Sequence, residues 1–118
     1  MKLLVVTGGR DYKHEKRVHE LLKRIDPEVV YVGDCPTGVD KFTRYWCDKS
    51  AVPFRVFEAQ WDDFGKAAGP IRNKEMIEAA AQDVVKPILL AFPGGRGTED
   101  CVMHAKYYKI PVLRFEES

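Results

Sequence analysis

The chain lacks any run of apolar residues close to the roughly 20 needed to cross a bilayer, and nothing in it reads as a membrane segment. Its N-terminus runs straight into an apolar strand pattern rather than a secretory signal, so a cytoplasmic, unprocessed protein is expected. Cysteine is scarce: Cys35, Cys47 and Cys101 are an odd number without a Cys-x-x-Cys pair. Neither a disulfide framework nor a zinc site is signalled, no other metal-ligand cluster is present, and no cofactor is implied. Charge of one sign is not in excess either, with 19 basic against 18 acidic residues and a net charge of +1. That balance gives no electrostatic footprint for a long polyanion such as duplex DNA, but leaves room for a small anionic ligand. Repeats, low-complexity tracts and Pro/Gly/Ser linkers are also missing, so residues 1–118 are expected to form a single domain.

What is present is a dense alternation of apolar runs and amphipathic stretches, with 45% hydrophobic residues to fill a core. Residues 2–6 are almost wholly apolar, as in a strand buried on both faces of a parallel sheet. Over 13–25, Val18, Leu21, Leu22 and Ile25 form the stripe of an amphipathic helix, which Pro27 ends. Residues 29–32 read as a second strand, and Val39, Phe42, Tyr45 and Trp46 then recur at helical spacing. Residues 53–57 read as a third strand, followed by a connection over 58–69 that is longer than the ~2–6 residues usual between strand and helix. Pro70 opens a helix to about residue 82, 87–91 is strand four, 97–108 the last helix and 111–115 the last strand. Five mainly parallel strands alternating with four helices predict an α/β fold, a Rossmann-like doubly wound sheet with helices on both faces.

In such a sheet the strand-to-helix loops emerge at one edge, where ligands bind. That rim should gather Gly8, Gly9, Arg10 and Asp11, then Gly33, Thr37, Gly38 and Asp40, then Arg72 and Asn73, and finally Pro93, Gly94, Gly95, Arg96, Gly97 and Thr98. Glycines there can serve a sharp turn alone, or they can bring bare backbone N–H groups to a phosphate at a helix N-terminus. Arg72 falls in the first turn of its expected helix, at the unfavourable end of the dipole, which suggests either a ligand phosphate or carboxylate, or pairing with Asp62, Asp63 or Glu75. Asn73 beside it can read a base edge or a ribose hydroxyl. Asp11, Asp34, Asp40, Glu99 and Asp100 either cap helices or orient a ribose, activate water and stabilise a sugar cation. His14, His19 and His104 lie inside expected helices and read as surface or packing residues. Trp46 reads as core, whereas Trp61 in the long connection is placed either to anchor the loop or to stack on a base. Cys35 and Cys101 lie near helix N-termini, but neither has a neighbouring histidine or second cysteine to make a nucleophile.

The ordered set Thr7-Gly8-Gly9-Arg10-Asp11, Gly33-Asp34-Cys35-Pro36-Thr37-Gly38-Val39-Asp40, Gly69-Pro70-Ile71-Arg72-Asn73 and Phe92-Pro93-Gly94-Gly95-Arg96-Gly97-Thr98 resembles the YspA-like, YpsA-related group of the SMF/DprA/LOG superfamily, called SLOG. The resemblance spans nearly the whole chain and implies a Rossmann-like domain, found in bacteria and phages, that binds a nucleotide or nucleotide-derived ligand. Its LOG branch hydrolyses the N-glycosidic bond of cytokinin nucleoside monophosphates with a Pro-Gly-Gly-x-Gly-Thr-x-x-Glu motif and an upstream arginine. Pro93 to Thr98 match the first six positions, Arg72 stands for the arginine, and Cys101 occupies the glutamate position. Glu99 and Asp100 precede it by two and one residues, rotated by about 100° per residue on a helix. The catalytic set the resemblance implies is therefore Arg72 with Glu99 or Asp100. The LOG branch further implies a homodimer, and the DprA branch a rival role in binding single-stranded DNA. A third reading is an interaction module whose glycines are only structural.

Overall fold

The computed structural model describes residues 2–115. Its strands are β1 (Leu3–Thr7), β2 (Val29–Gly33), β3 (Phe54–Phe57), β4 (Pro87–Ala91) and β5 (Val112–Arg114). The helices are α1 (Glu15–Ile25), α2 (Gly38–Ser50), α3 (Trp61–Phe64), α4 (Ala68–Ala81) and α5 (Arg96–Tyr107). The strands form one sheet in the order β3-β2-β1-β4-β5, and all four pairings are parallel. Helices cover both faces of the sheet, the Rossmann-like α/β arrangement expected from the sequence.

Strand alternation divides the core in two. Leu4, Val6, Val30, Val32 and Leu90 point to one face, where Val18 and Leu22 of α1 and Val39 and Cys47 of α2 cover them. Leu3, Val5, Tyr31 and Leu89 point to the other, under Met76, Ile77 and Ala80 of α4 and Cys101, Val102 and Ala105 of α5. A strand buried on both sides has no use for polar residues, which is why β1 reads as an unbroken apolar run. Leu21 and Ile25, the outer members of the α1 stripe, are only partly buried. The turn after α1 comes one residue before Pro27, at Asp26, which adopts the left-handed conformation (φ 56°).

The third connection departs from the sequence expectation of a long loop. Trp61–Phe64 closes one helical turn, a 3-10 turn follows over Gly65–Ala67, and α4 begins at Ala68, two residues before Pro70. Gly65, at φ 55°, makes the bend between the short helix and that turn. Pro70 still falls in the first turn of α4, where its missing N–H leaves no bond unmade. The earlier start moves Arg72 one turn into the helix, away from the dipole's positive end.

Candidate functional site

The chain leaves β1 toward β2 and β3 on one side and reaches β4 and β5 on the other, so the sheet has its switch point between β1 and β4. Connections diverge there and open a crevice beyond the carboxyl ends of the strands. The backbone N–H of Gly9 donates to the carbonyl of Pro93 at 2.9 Å, tying the two loops that frame the crevice. In front of them lies a cleft of about 1290 Å³, lined among others by Gly8, Gly9, Arg10, Asp11, Asp34, Asp40, Trp61, Lys66, Arg72, Asn73, Asp100 and the whole segment from Pro93 to Thr98. Such a volume is ample for a nucleotide.

The glycines divide by what stands where a Cβ would be. At Gly8 it would strike the Val39 side chain, at Gly38 (φ 70°) the carbonyl of Gly9, and at Gly94 the Thr98 hydroxyl. At Gly9 it would lie 3.1 Å from Gly94 Cα, and at Gly33 2.5 Å from Arg72 Nη1. These five residues are small because a neighbouring loop or a helix side chain already fills the place of the Cβ. Gly95 and Gly97 differ: both line the cleft, and nothing stands within 4 Å of the Cβ position. They bracket the start of α5, whose N-cap residue is Gly95 itself and brings no side chain to the first-turn N–H groups. That turn presents its donors and its partial positive charge to the cleft.

A chain of polar contacts runs beneath. Arg72 Nη1 donates to Asp34 at 2.8 Å, and Arg72 Nε to Asn73 Oδ1 at 2.9 Å. Asn73 Nδ2 donates to Asp100 at 3.1 Å and to the Gly97 carbonyl at 3.2 Å, and the other Asp100 oxygen lies 3.4 Å from His104 Nε2. Arg72 thus pairs with Asp34, not with Asp62, Asp63 or Glu75, because its place one turn inside α4 turns it toward the end of β2. Asp34 in turn accepts the N–H of Ala59 at 3.2 Å, which fixes the exit of β3.

Asp40 lies deeper. It is 7% exposed, and Oδ2 accepts the Cys35 N–H at 3.2 Å. Burial pushes its carboxyl from 3.8 up to about 6, against the pull of Arg72, the Cys35 N–H and Arg44, with Asp34 adding to the rise. The Cys101 thiol, buried under the sheet, is pushed up to about 12, chiefly by desolvation. At neutral pH it is a protonated core group, so the position that the LOG motif fills with glutamate carries no charge here.

Of the residues the sequence singled out, Arg72, Asn73, Asp40, Asp100, Arg10, Asp11, Gly8, Gly9 and Pro93 to Thr98 come together at the cleft. Glu99 does not, since both its oxygens accept from Arg114 Nη2, at 2.7 and 2.8 Å, outside it. One residue further round α5, Asp100 faces inward, which is the consequence of the 100° step. Thr37 donates to the Arg10 carbonyl at 2.8 Å, and with Gly33 and Gly38 it shapes the loops without lining the cleft. Sequence reasoning missed Arg44, which clamps the end of β2 through the carbonyls of Gly33 and Cys35, both at 2.9 Å. It lies four residues after Asp40, and that spacing on one helix face was the available signal. His104 was read as surface or packing, although it follows Asp100 by the same spacing.

No protein-family model matches the chain. It is 32% identical over 126 residues to the Gene 61 protein of Mycobacterium phage D29, an alignment that covers 98% of this chain and 97% of that protein.

Proposed function

The chain belongs to the family of the Gene 61 protein of Mycobacterium phage D29, and from its glycine motifs and the cleft they frame we propose that it is a SLOG-type domain that binds a nucleotide or nucleotide-derived ligand there. The phosphate sits at the first turn of α5, between Gly95 and Gly97. The observation that carries this reading is the open space at those two glycines, in a loop system where the others are filled by their own neighbours. Arg10, Lys66 and Arg96 line the same cleft and are exposed, which makes cations available to an anion bound there.

Trp61 supports the other end of the ligand. Its ring is 56% exposed at the cleft wall, 3.4 Å from where a Gly69 Cβ would stand, which gives a flat apolar surface suited to a base. In this reading the protein works in the cytoplasm, and any turnover is hydrolysis of the ligand's N-glycosidic bond with Asp100, not Glu99, beside the sugar.

Thermal unfolding against nucleoside monophosphates, dinucleotides, ADP-ribose and cyclic nucleotides tests the reading. A ligand at about 100 times its Kd adds about 2.7 kcal/mol and should raise the midpoint by on the order of 10 °C. Gly95→Asp, whose side chain enters open space, should leave the unliganded midpoint within about 2 °C of the original yet abolish most of that rise through charge repulsion. An undiminished rise in Gly95→Asp removes the phosphate from this turn.

A further inference from the structure

Residues 60–67 are exposed at every position, yet they are built as structure, the one-turn α3 and the 3-10 turn after it. Neither turn buries a side chain. The ends of the run, by contrast, are fixed. Ala59 before it is buried and gives its N–H to Asp34 at 3.2 Å, and Ala68 after it is buried as the first residue of α4. Between these ends the N–H groups of Asp63 and Phe64 donate to the Gln60 carbonyl at 3.1 and 3.0 Å. A segment that buries no side chain and is held by such local backbone bonds lies at the low end of local stability. Its bend is at Gly65, where φ 55° and ψ −131° suit glycine and nothing stands within 4 Å of the Cβ position, so packing does not brace it.

This weak segment carries more apolar surface than it covers. Trp61 is 56% exposed and Phe64 50%, one helical turn apart. Aromatic faces left to water gain free energy when something flat and apolar covers them. Position names the occupant, because Trp61 and Lys66 line the cleft while Asp62, Asp63 and Phe64 between them do not. At about 1290 Å³ the cleft is also larger than the ~300–1000 Å³ in which small ligands are usually enclosed. A nucleotide at the first turn of α5 leaves part of that space empty, and inward movement of the segment would take it up.

Resting on the nucleotide reading above, we propose that residues 60–67 are a strap that closes on the ligand's base, so that the site distinguishes base-bearing ligands from plain sugar phosphates. Ala59 and Ala68 stay in place, and Gly65 takes up the change in backbone angles. The Trp61 ring stacks on the base, and Phe64 is brought in beside it. A phosphate held at α5 gives affinity without closure, since it offers the aromatic faces nothing to cover them.

Amide hydrogen exchange resolved by residue in NMR tests this on the wild-type protein, free and with AMP, GMP, CMP, UMP, ADP-ribose or ribose 5-phosphate, beside the thermal midpoint of the same samples. In the free protein the amides of Asp62, Asp63 and Phe64 should exchange within about 10-fold of the rate of an unstructured chain. A nucleotide that raises the midpoint should slow them by about 10-fold or more, and ribose 5-phosphate should not. These three residues stand outside the cleft, so a rigid wall touched by ligand would leave them unchanged. Trp61→Ala, at an exposed position, should keep the unliganded midpoint within about 2 °C of the original, weaken nucleotide binding by about 10-fold in calorimetry and remove the slowing. A midpoint rise with unchanged exchange at these amides, or slow exchange already in the free protein, overturns the strap while the binding site stands. Equal slowing by ribose 5-phosphate overturns the recognition of the base, as does wild-type affinity and slowing in Trp61→Ala. No midpoint rise with any of these compounds defeats the binding reading and the strap together.

Discussion

A carboxyl group kept under a guanidinium responds to pH in a direction set by which form burial disfavours. Asp40 has its folded-state value raised from 3.8 to about 6. The folded protein therefore holds a proton that the unfolded chain has already lost between about pH 4 and pH 6, and stability falls as pH rises through that window. Each unit of difference corresponds to about 1.4 kcal/mol, so the loss reaches on the order of 2–3 kcal/mol and is complete above pH 6. Asp40→Asn removes the titration and keeps an acceptor for the Cys35 N–H. In urea unfolding it should be more stable than wild type at pH 7.5 by about 2 kcal/mol, with the difference gone near pH 4. A gap independent of pH would place the cause elsewhere than Asp40.

At the scale of the element, an amphipathic stripe overstates its own burial. Of Val18, Leu21, Leu22 and Ile25 in α1, only Val18 and Leu22 are fully covered, since a helix resting on a twisted sheet seats one narrow line of side chains and leaves the flanks partly wet. Leu22→Ala should cost about 2–5 kcal/mol of unfolding free energy, as for a core leucine that leaves a cavity. Leu21→Ala, whose site borders solvent, should cost less than half as much by the same measurement. Equal costs would mean that α1 sits on its face differently. The short α3 gives the opposite lesson: four residues are too few for a periodic pattern, so Trp61–Phe64 could be read only as part of a long connection.

Over the whole molecule, positive and negative charge nearly balance, which supports the proposed small-ligand cleft over a nucleic-acid surface. Cations gather at the cleft, at Arg10, Lys66, Arg72 and Arg96, but Asp11, Asp34, Asp40 and Asp100 lie among them. A single-stranded oligonucleotide should therefore bind weakly and without a steep salt dependence. Fluorescence anisotropy from low to physiological salt checks this, and a slope equivalent to several released counterions would revive the DprA-like reading. Among the described residues no helix is long and apolar enough to cross a membrane.

The sequence by itself determined the fold class, the order of the five strands and of four of the five helices, and the segments that meet at the rim. Those follow from local periodicity and from the rule that parallel strands send their following loops to one edge. Only the tertiary structure decided which side chains share that edge. Arg72 meets Asp34 across 38 positions, Asn73 meets Asp100 across 27, and Glu99 turns out to Arg114 while its neighbour turns in. The two kinds of glycine were equally beyond a sequence reading. Whether a missing Cβ makes room for a loop or for a ligand depends on what the rest of the chain brings to that point, and at Gly33 it brings a guanidinium from α4 and a carboxyl from α2.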